Sequence, residues 1–134
     1  MSDSVVVGWI RTPEGQAAVD AAVEETRRRK GRLVVVHSSR GGREDEADTV
    51  LEIRDALEEL ETRLTGEGLD VTVRDLVRGN DPAEDLMEVA DKESAALIVI
   101  GLRRRSPVGK LLMGSNAQEI LLRADCPVLA VKAP

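Results

Sequence analysis

Short apolar runs alternate along the chain with longer segments whose apolar residues recur at helical spacing. "SVVVGWI" (Ser4–Ile10), "RLVVVHS" (Arg32–Ser38), "ALIVIG" (Ala96–Gly101) and "PVLAVK" (Pro127–Lys132) are short and nearly continuous in hydrophobicity. That is the pattern of strands covered on both faces. "LDVTVRDLV" (Leu69–Val77) sets Val71 and Val73 against Thr72 and Arg74, and this alternation predicts an edge strand with one wetter face. Between the runs, Ala17, Ala18, Ala21 and Ala22 form a small-residue helical face. Val50, Ile53, Leu57, Leu60 and Leu64 recur at steps of three and four, one apolar stripe on a charged helix.

Helix starts are marked by caps. Thr12-Pro13 places a hydroxyl before a proline at the first helical position. "DPAE" (Asp81–Glu84) offers an aspartate cap, a proline and a glutamate at the third position, and "SNAQ" (Ser115–Gln118) has capping-box spacing. "GGREDEADT" (Gly41–Thr49) is polar and glycine-bearing, and is expected to form a loop before the second helix. The resulting order, β-α-β-α-β-α-β-α-β, predicts an α/β fold with right-handed crossovers and helices on both faces of a parallel sheet.

At 134 residues the chain is expected to be one domain, residues 1–134, with enough length to bury a core. No apolar run approaches the roughly 18 residues that a spanning helix needs. The opening "MSDSVVVGWI" carries an acidic residue where a signal peptide would carry basic ones. The single cysteine, Cys126, fits a reducing compartment. A cytoplasmic protein without a membrane partner is therefore expected. A net charge of −6 argues against wholesale nucleic-acid binding, and one tryptophan without Phe or Tyr leaves no base-stacking platform.

Catalysis finds little support in the residues. His37 is the only histidine, Cys126 lies beside Pro127, and no second soft ligand completes a metal set. No catalytic or metal residue is assigned, and an enzyme is not expected. The segment "GLRRRSPVGKLLMGSN" (Gly101–Asn116) is different, because it links a predicted strand to a predicted helix. Gly101 would admit close backbone approach, and Gly114-Ser115 would aim free amides at an anion. Arg103, Arg104, Arg105 and Lys110 would supply phosphate donors. It is not a Walker A loop, since Leu111 follows Lys110. The same residues also suit a plain helix cap with a solvated basic loop.

These stretches together resemble the universal stress protein family over essentially the whole chain. The family pattern Gly-x2-Gly-x9-Gly-[Ser/Thr] falls on Gly101, Arg104, Gly114 and Ser115; "ADCPVLAVK" (Ala124–Lys132), "RGNDPAEDL" (Arg78–Leu86) and "VVVGWIRTPEGQAA" match the closing, third-helix and opening segments. The resemblance implies a Rossmann-like five-stranded parallel sheet in the order 3-2-1-4-5 and a homodimer along the fifth strand, through Val128, Ala130 and Val131. It implies a stress-response role with ATP or AMP, and Mg2+ where ATP is bound, held by Ile10, Ser38, Gly101, Arg104, Gly114, Ser115 and Asn116. Arg11 and Arg103 are added as nearby cations. Two positions depart from the pattern: Ile10 stands where the family has aspartate, and Arg104 where it has the second glycine. A dimeric interaction module that binds no nucleotide is the alternative.

Overall fold

The computed structural model describes residues 3–39, 47–77, 81–102 and 114–133. Five strands and four helices alternate: β1 (Ser4–Gly8), α1 (Pro13–Arg29), β2 (Arg32–Ser39), α2 (Ala47–Gly66), β3 (Asp70–Val77), α3 (Pro82–Lys92), β4 (Ala95–Leu102), α4 (Ser115–Arg123) and β5 (Val128–Lys132). The strands form one parallel sheet in the order β3-β2-β1-β4-β5. The edge position expected of the alternating run at β3 is the one observed. Residues 41–46, the greater part of the expected loop before α2, lie outside the described residues.

The near-continuous apolar runs are explained by two cores, one on each face of the sheet. Val5, Val7, Leu33, Val35, Leu97 and Val99 face α1 and α2, where Ala18, Val19, Ala22, Leu57, Leu60 and Leu64 cover them. Val6, Val34, Val36, Ile98 and Ile100 face α3 and α4, under Ala83, Leu86, Val89, Ala90 and Ile120. Successive residues point to opposite faces, so the buried apolar positions of β1, β2 and β4 are covered by helices on one face or the other. The small face of α1 lets that helix lie close over β1 and β4. Among the described residues, no helix is long and apolar enough to cross a membrane.

Helix starts follow the sequence signals unevenly. Thr12 caps α1 as expected, its Oγ1 accepting from the Gly15 amide at 3.1 Å. The capping box expected at α4 is not formed: Gly114 occupies the N-cap, no side chain caps the first turn, and Ser115 is the first helical residue. A serine one position inside the helix cannot fold its hydroxyl back onto the amides ahead of it. Asp81 sits at the N-cap of α3 without making a side-chain cap bond.

Candidate functional site

In this topology β1 and β4 are neighbours whose connections leave toward opposite sides, which opens a crevice beyond their carboxyl ends. A cavity of about 160 Å³ occupies that place, on the face covered by α3 and α4. The ends of β1 and β2 contribute Gly8, Trp9, Ile10, Val36 and Ser38; α3 contributes Pro82, Ala83 and Leu86; β4 and α4 contribute Ile100, Gly101, Asn116, Ala117 and Ile120. Most of this lining is apolar. Ser38 brings the only side-chain hydroxyl among these residues, and Asn116 brings a carboxamide at the start of α4.

Four expected site residues, Ile10, Ser38, Gly101 and Asn116, therefore meet around one cavity. Ile10 leaves 48% of its surface exposed and places an apolar side chain at the rim. Gly114 and Ser115 are exposed at the N-terminal end of α4, and Ser115 lines a shallow adjoining depression with Asp81, Asn116 and Glu119. Among the described residues no side chain caps the amides there, and the end carries the positive pole of the helix. Arg11 turns elsewhere and forms an ion pair with Glu52 on α2. Arg103 and Arg104, with Arg105 and Lys110, lie outside the described residues.

Gly101 has a packing role that the sequence did not disclose. A Cβ there would sit 2.3 Å from the Glu14 carbonyl oxygen, on the α1 side of the sheet. The glycine is thus needed to seat the first turn of α1, whatever its backbone offers a ligand. Gly114 differs. Its φ of −66° and ψ of 161° suit any residue, and a Cβ there would meet nothing within 4 Å.

Two polar arrangements adjoin the cavity. The Ser38 hydroxyl donates to Asp85 Oδ2 at 2.7 Å, and Asp85 is 1% exposed. No pattern in the sequence marked Asp85, which reads as one more acid in the first turn of a helix. Farther out, Asp81, Glu84 and Glu119 bring one carboxylate oxygen each within 4.8 Å of one another. A hydrogen bond shared with Asp81 pushes Glu119 above the usual carboxylate range, with desolvation and the Asp81 charge adding to the effect and Arg123 opposing it. A proton held between acids relieves their repulsion without a cation.

On the other face of the sheet, His37 Nδ1 lies 3.0 Å from Asp75 Oδ1, and its ring meets Trp9 edge-on with centroids 5.6 Å apart. By strand alternation His37 points away from Ser38 and the cavity. Cys126 lines a larger groove between α3 and the α4–β5 connection. Burial, and then the charges of Asp91 and Asp125, push its thiol pKa up, the opposite of what a reactive nucleophile needs.

Comparison with known proteins agrees with this architecture. The family model described as "Universal stress protein family" matches residues 1–132. A universal stress protein of Mycolicibacterium smegmatis is 40% identical over 132 residues, 96% of each chain. The solved structure of a universal stress protein from Archaeoglobus fulgidus superimposes with a TM-score of 0.82 at 34% identity, covering 98% of this chain and all of that one. A second structure from the same organism, in complex with dAMP, gives 0.75 at 29% identity with the same coverage. The chain belongs to the universal stress protein family.

Proposed function

We propose that this chain is a stress-response domain that binds an adenine nucleotide, ATP or AMP, at the β1–β4 crevice. The observation that carries the reading is the cavity itself: apolar along Val36, Ala83 and Leu86, and open toward the uncapped start of α4. Drug-sized ligands fill pockets of about 300–1,000 Å³, so a space of about 160 Å³ suits a base and part of its sugar. The phosphates then lie outside it, over the Ser115 and Asn116 amides, where helix polarity favours anions. The dAMP complex of the Archaeoglobus fulgidus relative supports the same ligand class. Replacement of the family aspartate by Ile10 removes one polar contact and leaves recognition to the remaining groups.

The test is thermal unfolding with AMP and with ATP, with and without Mg2+. A ligand at about 100 times its dissociation constant stabilises by ~2.7 kcal/mol. No shift at millimolar nucleotide, together with no nucleotide released from the purified protein on denaturation, would sink the reading. Gly114→Val sharpens it. Because that position is open and its backbone unstrained, the variant should fold normally and lose affinity only through crowding of the phosphate.

A second feature supports assembly. β5 is an edge strand carrying Val128, Leu129, Ala130 and Val131, with Leu129 exposed. An apolar edge of this kind invites pairing, and a twofold partner would satisfy it with equivalent contacts from both copies. We propose a homodimer along β5. The replacement Leu129→Arg, at an exposed position, should shift the mass in light scattering toward the monomer, whereas an unchanged dimer would place the interface elsewhere.

A further inference from the structure

Asp85 is a buried carboxylate that the nucleotide reading does not use, and it fixes the hydrogen-bonding polarity of the cavity. A hydroxyl has one hydrogen to give and two lone pairs to offer. The single hydrogen of Ser38 is directed at Asp85 Oδ2, 2.7 Å away, while Ser38 itself lines the cavity. What Ser38 presents to a ligand is therefore an acceptor. Asp85 is 1% exposed, so water does not compete freely for the bond, and a bond to an acidic oxygen is stronger than a neutral one. A ligand seated here gains by presenting a donor to Ser38 and is repelled when it presents a second acceptor.

The position of Ser38 decides which part of a ligand meets it. With phosphates at the start of α4, the base occupies the opposite, apolar end, among Val36, Pro82, Ala83 and Leu86. A ribose hydroxyl can donate or accept by rotation, so it satisfies Ser38 in every nucleotide and selects nothing. The edge of a purine cannot adapt in this way: a 6-amino group donates and a 6-oxo group accepts. We propose that Asp85 is a positioning residue that locks Ser38 as an acceptor and so selects 6-aminopurine over 6-oxopurine nucleotides. This rests on the nucleotide reading given above.

The experiment compares the affinities of the full chain for ATP and ITP, which differ at the 6-position and its attendant ring proton, by calorimetric titration at one salt concentration. ATP should bind more tightly by at least about tenfold, the ratio expected when a buried acceptor is left unpaired or faces another acceptor. Asp85→Asn keeps the shape of the side chain and lets its amide donate to Ser38, freeing the hydroxyl to serve a 6-oxo group. It should bring the ATP-to-ITP ratio toward one, and Ser38→Ala should do the same. A merely structural role for Asp85 would weaken both ligands together and leave the ratio intact, which would overturn the assignment. Equal wild-type binding of ATP and ITP would overturn it while leaving nucleotide binding in place. Binding of neither would overturn both.

Discussion

Among the helices that begin at the carboxyl edge of the sheet, α1 on one face and α3 and α4 on the other are built in opposite ways. On one face α1 is closed. Thr12 caps it, Pro13 starts it, and its first turn presses on Gly101 so tightly that no Cβ fits between them. On the other face α3 and α4 are open. Neither has a side-chain cap bond, Gly114 projects into free space, and Asp81 turns toward Glu119 rather than to the amides of its own helix. Caps and close packing are devices for stability, while uncapped amides beside a cavity leave donors for a ligand. The closed end holds the sheet edge in place, and the open ends border the cavity proposed for the nucleotide.

The largest test of this contrast uses two glycines. Gly101→Ala would force a Cβ against the Glu14 carbonyl, and overpacking of this kind costs about 1–3 kcal/mol, sometimes more. Gly114→Ala meets no atom. Its loss of N-cap preference is offset by the about 0.4–1 kcal/mol gained when glycine freedom leaves the unfolded chain. Denaturant unfolding should show a clear loss for Gly101→Ala and a change within about 0.5 kcal/mol for Gly114→Ala. Equal losses would mean that the two ends are not built differently.

This contrast was only half legible in the sequence. The succession of strands and helices, the wetter edge at β3 and the cap at Thr12 could be read because each rests on a local pattern of period or composition. The strand order came only with the family resemblance. Gly101 was visible as a glycine, yet its reason was not, since the carbonyl it must accommodate belongs to Glu14, far away in the chain. The spacing of Ser115 and Gln118 misled in the other direction: it matches a capping box, but the helix starts one residue earlier than a box requires, with Gly114 at the N-cap. Asp85 carried no signal at all. Its partner Ser38 lies 47 residues away, and a pairing of two common polar residues at that distance leaves no spacing rule to find.

A smaller effect is expected at the closed end. Thr12→Ala removes the 3.1 Å bond from the Gly15 amide, and loss of such a cap costs about 1 kcal/mol. Thr12→Ser should restore most of it, because the oxygen rather than the methyl group makes the bond. Nucleotide affinity should be unchanged in both variants, since Thr12 does not line the cavity. A fall in affinity as large as the fall in stability would show that α1 also takes part in binding.

The smallest expected effect lies between the open ends and is read from its pH dependence. Glu119 holds its proton to higher pH in the folded chain than a free glutamate does, chiefly through the hydrogen bond shared with Asp81. Across the window between its ordinary value and the raised one, the folded state therefore binds more protons than the unfolded state. Stability must fall as pH rises through that window and stay lowered above it. Glu119→Gln removes the titration and the like charge, but also gives up the i,i+4 pair with Arg123, with its N–O distance of 2.7 Å. Exposed helix pairs of this kind contribute little, because solvent screens them. At neutral pH the relief of repulsion should dominate, so the variant should melt slightly above wild type. Below the ordinary glutamate range wild type already carries the proton, and the difference should shrink or reverse. A melting-temperature difference that stays constant between mildly acid and neutral pH would mean that Asp81 and Glu119 share no proton, leaving the crowding of these acids at the open ends without a titrating partner.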